Sequence, residues 1–87
     1  MEFSEHAEER MRRRGVSKDE VIEAVRNPED VLLDTSTGYL IATRKKEDRY
    51  LLVVYAPKAV KRVVTVIVTS KFNIVEKRIR SGRWIKI

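Results

Sequence analysis

Cysteine is absent from this sequence, and histidine occurs only once, as His6. Without thiols the chain can form neither disulfides nor thiolate zinc sites, and a single imidazole cannot build the usual histidine metal clusters. We therefore expect no metal and no cofactor, and a hydrophobic core that stabilises the fold alone. A chain without disulfides suits a reducing compartment, so the expected location is the cytoplasm.

Long apolar runs are also missing, since no stretch approaches the roughly 20 apolar residues of a membrane-spanning helix. The acidic, polar start of the chain does not resemble a secretory signal. The three glycines are scattered, which excludes a glycine-rich phosphate loop. Glutamine is absent and 37% of the residues are charged, a composition typical of thermophiles. We expect no membrane partner.

Charge is distributed unevenly along the 87 residues, which are expected to form a single domain, 1–87. Residues 1–38 contain six Lys or Arg and ten Asp or Glu, a net charge of −4. Residues 39–87 contain thirteen Lys or Arg and three Asp or Glu, a net charge of +10. The charges of the two halves sum to +6. Such a basic half is typical of a nucleic-acid-binding protein. The basic half is also consistent with binding to an acidic protein partner, or with electrostatic attraction between the two halves of the chain.

Two helices are predicted before Pro28. The first runs from about Glu5 to Arg14, with Ser4 as its N-cap and a glycine directly after it. The second starts at a capping box, a serine followed three residues later by a glutamate, Ser17-Lys-Asp-Glu20. It ends before the proline, because the residue that precedes a proline avoids helical angles.

After Pro28 the apolar period changes from helical to two, which predicts strands. Four strands are expected, at residues 31–33, 39–45, 49–56 and 60–69. In the last of them Val64, Val66 and Val68 should share one face, and Val63 and Thr65 the opposite, half-polar and open face. A short basic helix should follow, capped by Ser70. The predicted architecture is α+β: two N-terminal helices and a short C-terminal helix on one face of a four-stranded antiparallel sheet.

The chemistry available to this chain is that of arginine, lysine, one histidine and a few hydroxyl groups. Cleavage of RNA at a 2′-hydroxyl needs proton transfer and stabilisation of charge on phosphorus, without a metal. His6 can be the acid or base, and helical spacing puts arginines on the same stripe to hold the phosphate. The catalytic candidates are His6, Arg10, Arg14 and Tyr55. The RNA-binding candidates are Arg13, Arg44, Lys71, Lys77, Arg78 and Arg80.

Each candidate also has a structural interpretation. A lone histidine at the start of a helix is most often a surface or capping residue. Tyr55 alternates with apolar neighbours, as a core residue does, and Arg10 can pair with a nearby acid. The basic residues of the last helix can form a solvated face, and Trp84 can cover the core.

The stretch His6-Ala-x-x-Arg10-Met-x-x-Arg14-Gly-Val-Ser resembles the opening signature of the family catalogued as domain of unknown function 4258. Asn27-Pro-Glu29 is similar to that family's step into its first strand. Residues 50–55 and 63–66 are similar to its central strands, so the likeness covers about residues 3–69.

That family resembles RelE- and BrnT-type toxins of the barnase-like ribonuclease group. The resemblance implies a RelE-like fold, an RNA-binding or RNA-cleaving activity and an antitoxin partner. BrnT-like proteins carry Ser-Ala-Arg after the last strand and a late tyrosine. This chain has Thr69-Ser-Lys71 and Trp84 instead.

The leading functional hypothesis is an RNA-binding protein, acting on ribosomal or messenger RNA as a toxin-like, metal-independent endoribonuclease. The alternative is a non-catalytic interaction module that binds an acidic, antitoxin-like protein. A regulator that binds duplex DNA is the third hypothesis, although no recognition-helix pattern is present.

Overall fold

The computed structural model describes residues 1–87, which form three helices and six strands and confirm the α+β class. The helices are α1 (Glu5–Arg14), α2 (Lys18–Arg26) and α3 (Asn73–Arg80). The strands are β1 (Glu2–Phe3), β2 (Asp30–Asp34), β3 (Leu40–Lys46), β4 (Arg49–Ala56), β5 (Arg62–Thr69) and β6 (Trp84–Lys86).

The sheet contains six strands in the order β1-β5-β4-β3-β2-β6 and is mixed, so the expected four-stranded antiparallel sheet is wrong. Strands β2 to β5 form the predicted antiparallel meander. The short strand β1 pairs with β5 in parallel, and β6 pairs with β2 antiparallel. Strands of two and three residues are too short to show an alternating pattern, so the sequence gives no signal for them.

Local capping fixes the first two helices where the sequence predicts them. Ser4 accepts a hydrogen bond from the Ala7 N–H at 3.0 Å and donates one to the Val64 carbonyl at 2.8 Å, which ties the start of α1 to β5. Gly15 ends α1 with a φ of 66°, a left-handed conformation that favours glycine. Helix α2 begins with the predicted capping box of Ser17 and Glu20.

Both faces of the sheet are covered by helices, so the expectation of helices on one face is wrong. Helices α1 and α2 pack on one face of the sheet, which we call the first face, against strand residues that include Leu51 and Val53. On the opposite, second face, α3 packs through Val75 against a core that includes Leu52. Alternate residues of β4 therefore belong to different cores, as the period of two requires.

A β-bulge in β5 changes which of its residues share a face. Val54 pairs with Thr65, but the next residue of β4, Tyr55, pairs with Val63, so Val64 is the extra residue. An extra residue reverses the alternation beyond it. Val63 consequently lies with Val66 in the first-face core, so the prediction that Val63 is on the face opposite Val66 is wrong.

The start of α3 also differs from the prediction. The helix begins at Asn73, its N-cap is Phe72, and no side chain caps it. Ser70 is therefore not the N-cap. A hydrogen-bonded turn occupies this connection instead, in which Thr69 Oγ1 accepts from the Lys71 N–H and donates to the Lys71 carbonyl, both at 3.1 Å.

Asp34 joins the end of β2 to β6 and is only 7% exposed. Its carboxylate accepts hydrogen bonds from the Ser36 N–H at 2.8 Å and the Trp84 indole at 3.3 Å, and it pairs with Arg83 at 3.6 Å. Burial by itself would raise the pKa of Asp34, but these hydrogen bonds, a further one from the Thr37 N–H and the arginine charge lower it overall. The ionised form is thus part of the folded structure.

We predict that Asp34→Asn destabilises the protein by about 1–3 kcal/mol at pH 7, because a charged acceptor with several donors is lost. The pKa in the folded state is below the ordinary 3.8, so this stabilisation is present above pH 3.8 and disappears as the pH falls through the folded-state pKa. Urea unfolding at pH 7 and at decreasing pH below 3.8 measures it.

The matched control is Asp30→Asn on the same strand, which removes a more exposed pair with Lys86 at 3.1 Å. An exposed pair contributes at most about 1 kcal/mol. Equal losses of stability in the two variants would contradict the role assigned to ionised Asp34. A loss of stability for Asp34→Asn that does not change with pH would also contradict it.

Candidate nucleic-acid interface

Helix α1 carries four of the predicted site residues, and the structure spreads them over more than two turns. His6 is exposed, and Arg10, one turn later, is partly buried. Arg13 pairs with Glu9 at 3.2 Å. Arg14 lies about 12 Å from His6 along the helix axis, at 1.5 Å per residue. The structure brings His6 and Arg10 together, but it does not bring His6 and Arg14 together.

Tyr55, the fourth catalytic candidate, lies in the first-face core with 5% of its surface exposed. Burial raises the pKa of its hydroxyl above the ordinary 10.0, which favours the protonated phenol. In the β3–β4 ladder Tyr55 is opposite Leu40, whereas Arg44 is opposite Leu51. Four residues of strand, about 13 Å, separate the two positions, so the structure does not bring Arg44 and Tyr55 together.

Arg44 is held by α2 and its C-terminal end. Its guanidinium donates a hydrogen bond to the Asn27 carbonyl and lies 3.9 Å from the Glu23 carboxylate. A cation at a helix C-terminus is stabilised by the helix dipole and by the carbonyls that have no partner there. This arrangement ties β3 to α2 and gives Arg44 a structural role.

A cavity of about 310 Å³ lies beside the β3–β4 turn, between that turn and the α1–α2 junction. Its charged lining is balanced, with three cations and three carboxylates: Arg14, Lys46, Arg49, Glu20, Glu47 and Asp48. Lys46 forms an ion pair with Glu20 and is the main cause of a lowered pKa at that carboxyl. The cavity is therefore not a strong anion site, although it brings Arg14 close to the start of β4.

Four predicted RNA-binding residues lie together on or just before α3. Lys71, Lys77 and Arg80 are exposed, and none of the protein's five ion pairs includes them. Arg78 is partly buried, with its guanidinium 5.5 Å from the centre of the Trp84 ring. The structure thus leaves three unpaired cations at this helix.

Two aromatic rings that the sequence analysis did not select lie on the same face. Tyr50 and Phe72 are partly exposed, with ring centroids 4.7 Å apart and ring planes at 43°. The ammonium of Lys45 is 5.8 Å from the centre of the Tyr50 ring. The proximity of Tyr50 and Phe72 arises from tertiary packing, and the sequence carries no signal for it. We name this surface the α3 face: Lys45, Tyr50, Lys71, Phe72, Lys77, Arg78 and Arg80.

The two sides of the sheet differ in charge. Residues 5–26, which form α1 and α2 on the first face, contain six cations and six carboxylates, a net charge of zero. Residues 70–87, which include α3, contain six cations and one carboxylate, a net charge of +5. Residues 70–87 therefore carry half of the +10 charge of residues 39–87, and α3 presents its cations on the side of the sheet opposite His6.

No three His, Cys, Asp or Glu side chains gather in a group that could hold a metal ion. Nor does any helix have the length and apolar composition needed to span a bilayer.

Comparison with known proteins gives the family of this chain. Residues 3–69 match the model of the family described as "Domain of unknown function (DUF4258)", which is more than half of the chain. The chain belongs to this family, as the opening signature predicts.

A similar protein is known from Archaeoglobus fulgidus, where it is called "Uncharacterized protein". It is 65% identical over 26 residues, which make up 30% of this chain and 96% of that protein. No solved structure matches the chain. The resemblance to RelE- and BrnT-type toxins therefore stays a prediction.

Proposed function

We propose that this protein binds RNA through the α3 face. The observation that carries the proposal is the charge of residues 70–87, six cations against the single carboxylate of Glu76. Lys71, Lys77 and Arg80 are exposed and have no carboxylate partner, so their charges are available to a ligand. Contacts of this kind with phosphates supply most of the sequence-independent affinity for nucleic acids.

The arrangement of these cations favours a strand of phosphates over a compact anion. Lys77 and Arg80 are three residues apart and lie on one side of α3, while Lys71 precedes the helix. Lys45 extends the basic surface across the end of the sheet, beside Tyr50. A row of cations next to partly exposed aromatic rings suits a single strand with unpaired bases, which is the usual target of specific RNA recognition.

We predict that the double charge reversal Lys77→Glu/Arg80→Glu weakens RNA binding roughly tenfold or more. It should also reduce the slope of log Kd against log salt by roughly 0.7 for each phosphate contact that is lost. The measurement is fluorescence anisotropy of a labelled single-stranded oligoribonucleotide at several salt concentrations.

The matched control is Arg12→Glu/Arg26→Glu. These residues are also exposed, lie in the last turns of α1 and α2 and form no ion pair, but they are on the first-face helices. Equal weakening by both double variants would point to net charge alone. Absence of any salt-sensitive binding by the wild type, or tighter binding of duplex DNA, would reject the proposal.

A toxin-like, metal-independent ribonuclease activity is a second part of the proposal, and it rests on the resemblance to RelE- and BrnT-type toxins. His6 would accept the proton of the 2′-hydroxyl as its oxygen attacks phosphorus. The new bond forms a cyclic phosphate and breaks the bond from phosphorus to the 5′-oxygen, which takes a proton from water and leaves as a hydroxyl. Arg10, one helical turn away, would stabilise the charge on phosphorus. Cleavage has weaker geometric support than binding, because His6 and the α3 face lie on opposite sides of the sheet and Tyr55 is buried.

If cleavage occurs through α1, His6→Ala and Arg10→Ala should each reduce its rate by roughly 100-fold or more, the usual contribution of an acid–base or oxyanion-stabilising group. Both variants should still bind RNA. Denaturing gels of end-labelled ribosomal or messenger RNA, with a chelator present, give the rates. Arg12→Ala is the control on the same helix, and unchanged rates in both site variants would exclude this site.

The second candidate function is an interaction module for an acidic protein, and a groove between α2 and the β4–β5 connection favours it. The groove measures about 510 Å³ and is lined by Met1, Val25, Arg26, Ala59, Val60 and Lys61. Val60 and Met1 are exposed hydrophobic residues, two cations border them, and no carboxylate lines the groove. An acidic, amphipathic segment of an antitoxin-like protein would complement this surface.

We predict that the tagged protein, purified from its native host, carries a stoichiometric acidic protein that Val60→Asp displaces. A negative charge in the groove should repel an acidic segment and break the apolar contact. Size-exclusion chromatography with mass spectrometry measures the complex. Thr65→Asp, on the second face, is the control. Recovery of only a free monomer, or a complex that Val60→Asp leaves intact, would reject this function.

A further inference from the structure

Tyr50 and Phe72 form the only close pair of aromatic rings in the protein, and they lie at the surface. A pair of rings packed mainly for stability would be expected inside the core, as Tyr55 and Trp84 are at 5% and 4% exposure. Tyr50 and Phe72 pack instead against the edge of the second-face core and keep part of their surface in water. Exposed ring surface of this kind is the usual platform for an unpaired base.

Backbone contacts hold the two rings in place. Tyr50 is opposite Thr69 in the β4–β5 ladder. The Thr69 hydroxyl makes two hydrogen bonds to the backbone of Lys71, the residue before Phe72. The Phe72 carbonyl accepts a hydrogen bond from the Val75 N–H at 3.1 Å, which opens α3. These contacts fix the backbone that carries both rings, which reduces the conformational entropy lost on binding.

Two lysines lie near the aromatic pair, one in space and one in sequence. Lys45 is opposite Tyr50 in the β3–β4 ladder, with its ammonium 5.8 Å from the ring centre. Lys71 is adjacent to Phe72 in sequence, is exposed and forms no ion pair. The cation–π contact at Trp84 differs, since that ring is buried and its surface cannot be reached by a base. At Tyr50 and Phe72, two partly exposed rings are in contact with each other, and a lysine ammonium lies near one of them.

We propose that Tyr50 and Phe72 form a stacking subsite for one unpaired base of an RNA strand, with Lys45 and Lys71 on the phosphates to either side. This inference rests on the proposed RNA binding and adds the class of substrate. The protein takes single-stranded RNA and contacts its bases as well as its backbone. Stacking of this kind tolerates any base, because every base presents a flat aromatic face.

The test compares an oligouridylate with a chain of the same length that carries ribose and phosphate but no bases. Backbone contacts are the same for both, so a difference in affinity reports contacts with the bases. The wild type should bind the oligouridylate roughly tenfold more tightly. Tyr50→Leu and Phe72→Leu keep an apolar side chain but lose the ring, and they should bind both chains equally with the salt slope of the wild type.

Tyr50→Phe and Tyr39→Leu are the matched controls. Tyr50→Phe keeps a ring at the site and should retain the preference for bases. Tyr39 lies at the opposite end of β3 from Lys45, so loss of its ring should not change the preference. Circular dichroism at increasing temperature verifies that each variant is folded. If one leucine variant is unfolded, the other leucine variant tests the stacking subsite.

Two failures are distinguishable in this experiment. If the wild type binds neither chain in a salt-sensitive manner, RNA binding by the α3 face is rejected and the subsite with it. If the wild type binds both chains with equal affinity, or if Tyr50→Leu and Phe72→Leu keep the preference for bases, RNA binding stands and the stacking subsite is rejected.

Discussion

Burial of both faces of strand β4 is the constraint on which the rest of this structure depends. Leu51 and Val53 point into the first-face core, and Leu52 into the second. A chain of 87 residues without cysteine has no disulfide and depends mainly on this burial for stability, so each face needs a cover. Helices α1 and α2 provide one cover and α3 provides the other.

The distribution of charge follows from this layering. The N-terminal helices have balanced charge and lie on one face, while the basic C-terminal helix lies on the other. Intramolecular ion pairs use part of the excess charge, since Arg83 pairs with Asp34 and Lys86 with Asp30. The cations of α3 itself have no such partners. The cations of α3 therefore form one basic surface, while residues 39–69 carry an equal excess, seven cations against two carboxylates.

The sequence predicts those parts of the fold that local chemistry determines. Ser4, Gly15 and the capping box at Ser17 fix helix ends within a few residues, and the structure has α1 and α2 as predicted. The edge strands and the bulge at Val64 depend on contacts with distant parts of the chain, and the start of α3 has no side-chain cap that would mark it in the sequence. Val64, for example, is an apolar residue in a run that reads as a regular strand, and only the pairing with β4 shows that it is the extra residue.

The same distinction applies to the candidate site. The cations of α3 are neighbours in sequence, so their common surface is predictable, whereas Tyr50 and Phe72 are far apart in sequence and meet only in the folded chain. The cavity beside the β3–β4 turn is shared by the two sides of the sheet, since Arg14, which ends α1, and Tyr50, which packs on the second-face core, both line it. On the proposed function, an RNA strand that leaves the aromatic pair over this end would meet Arg14 first and reach His6 only two helical turns later. RNA binding on the α3 face would then not depend on His6, and cleavage by α1 would require a longer RNA than binding does.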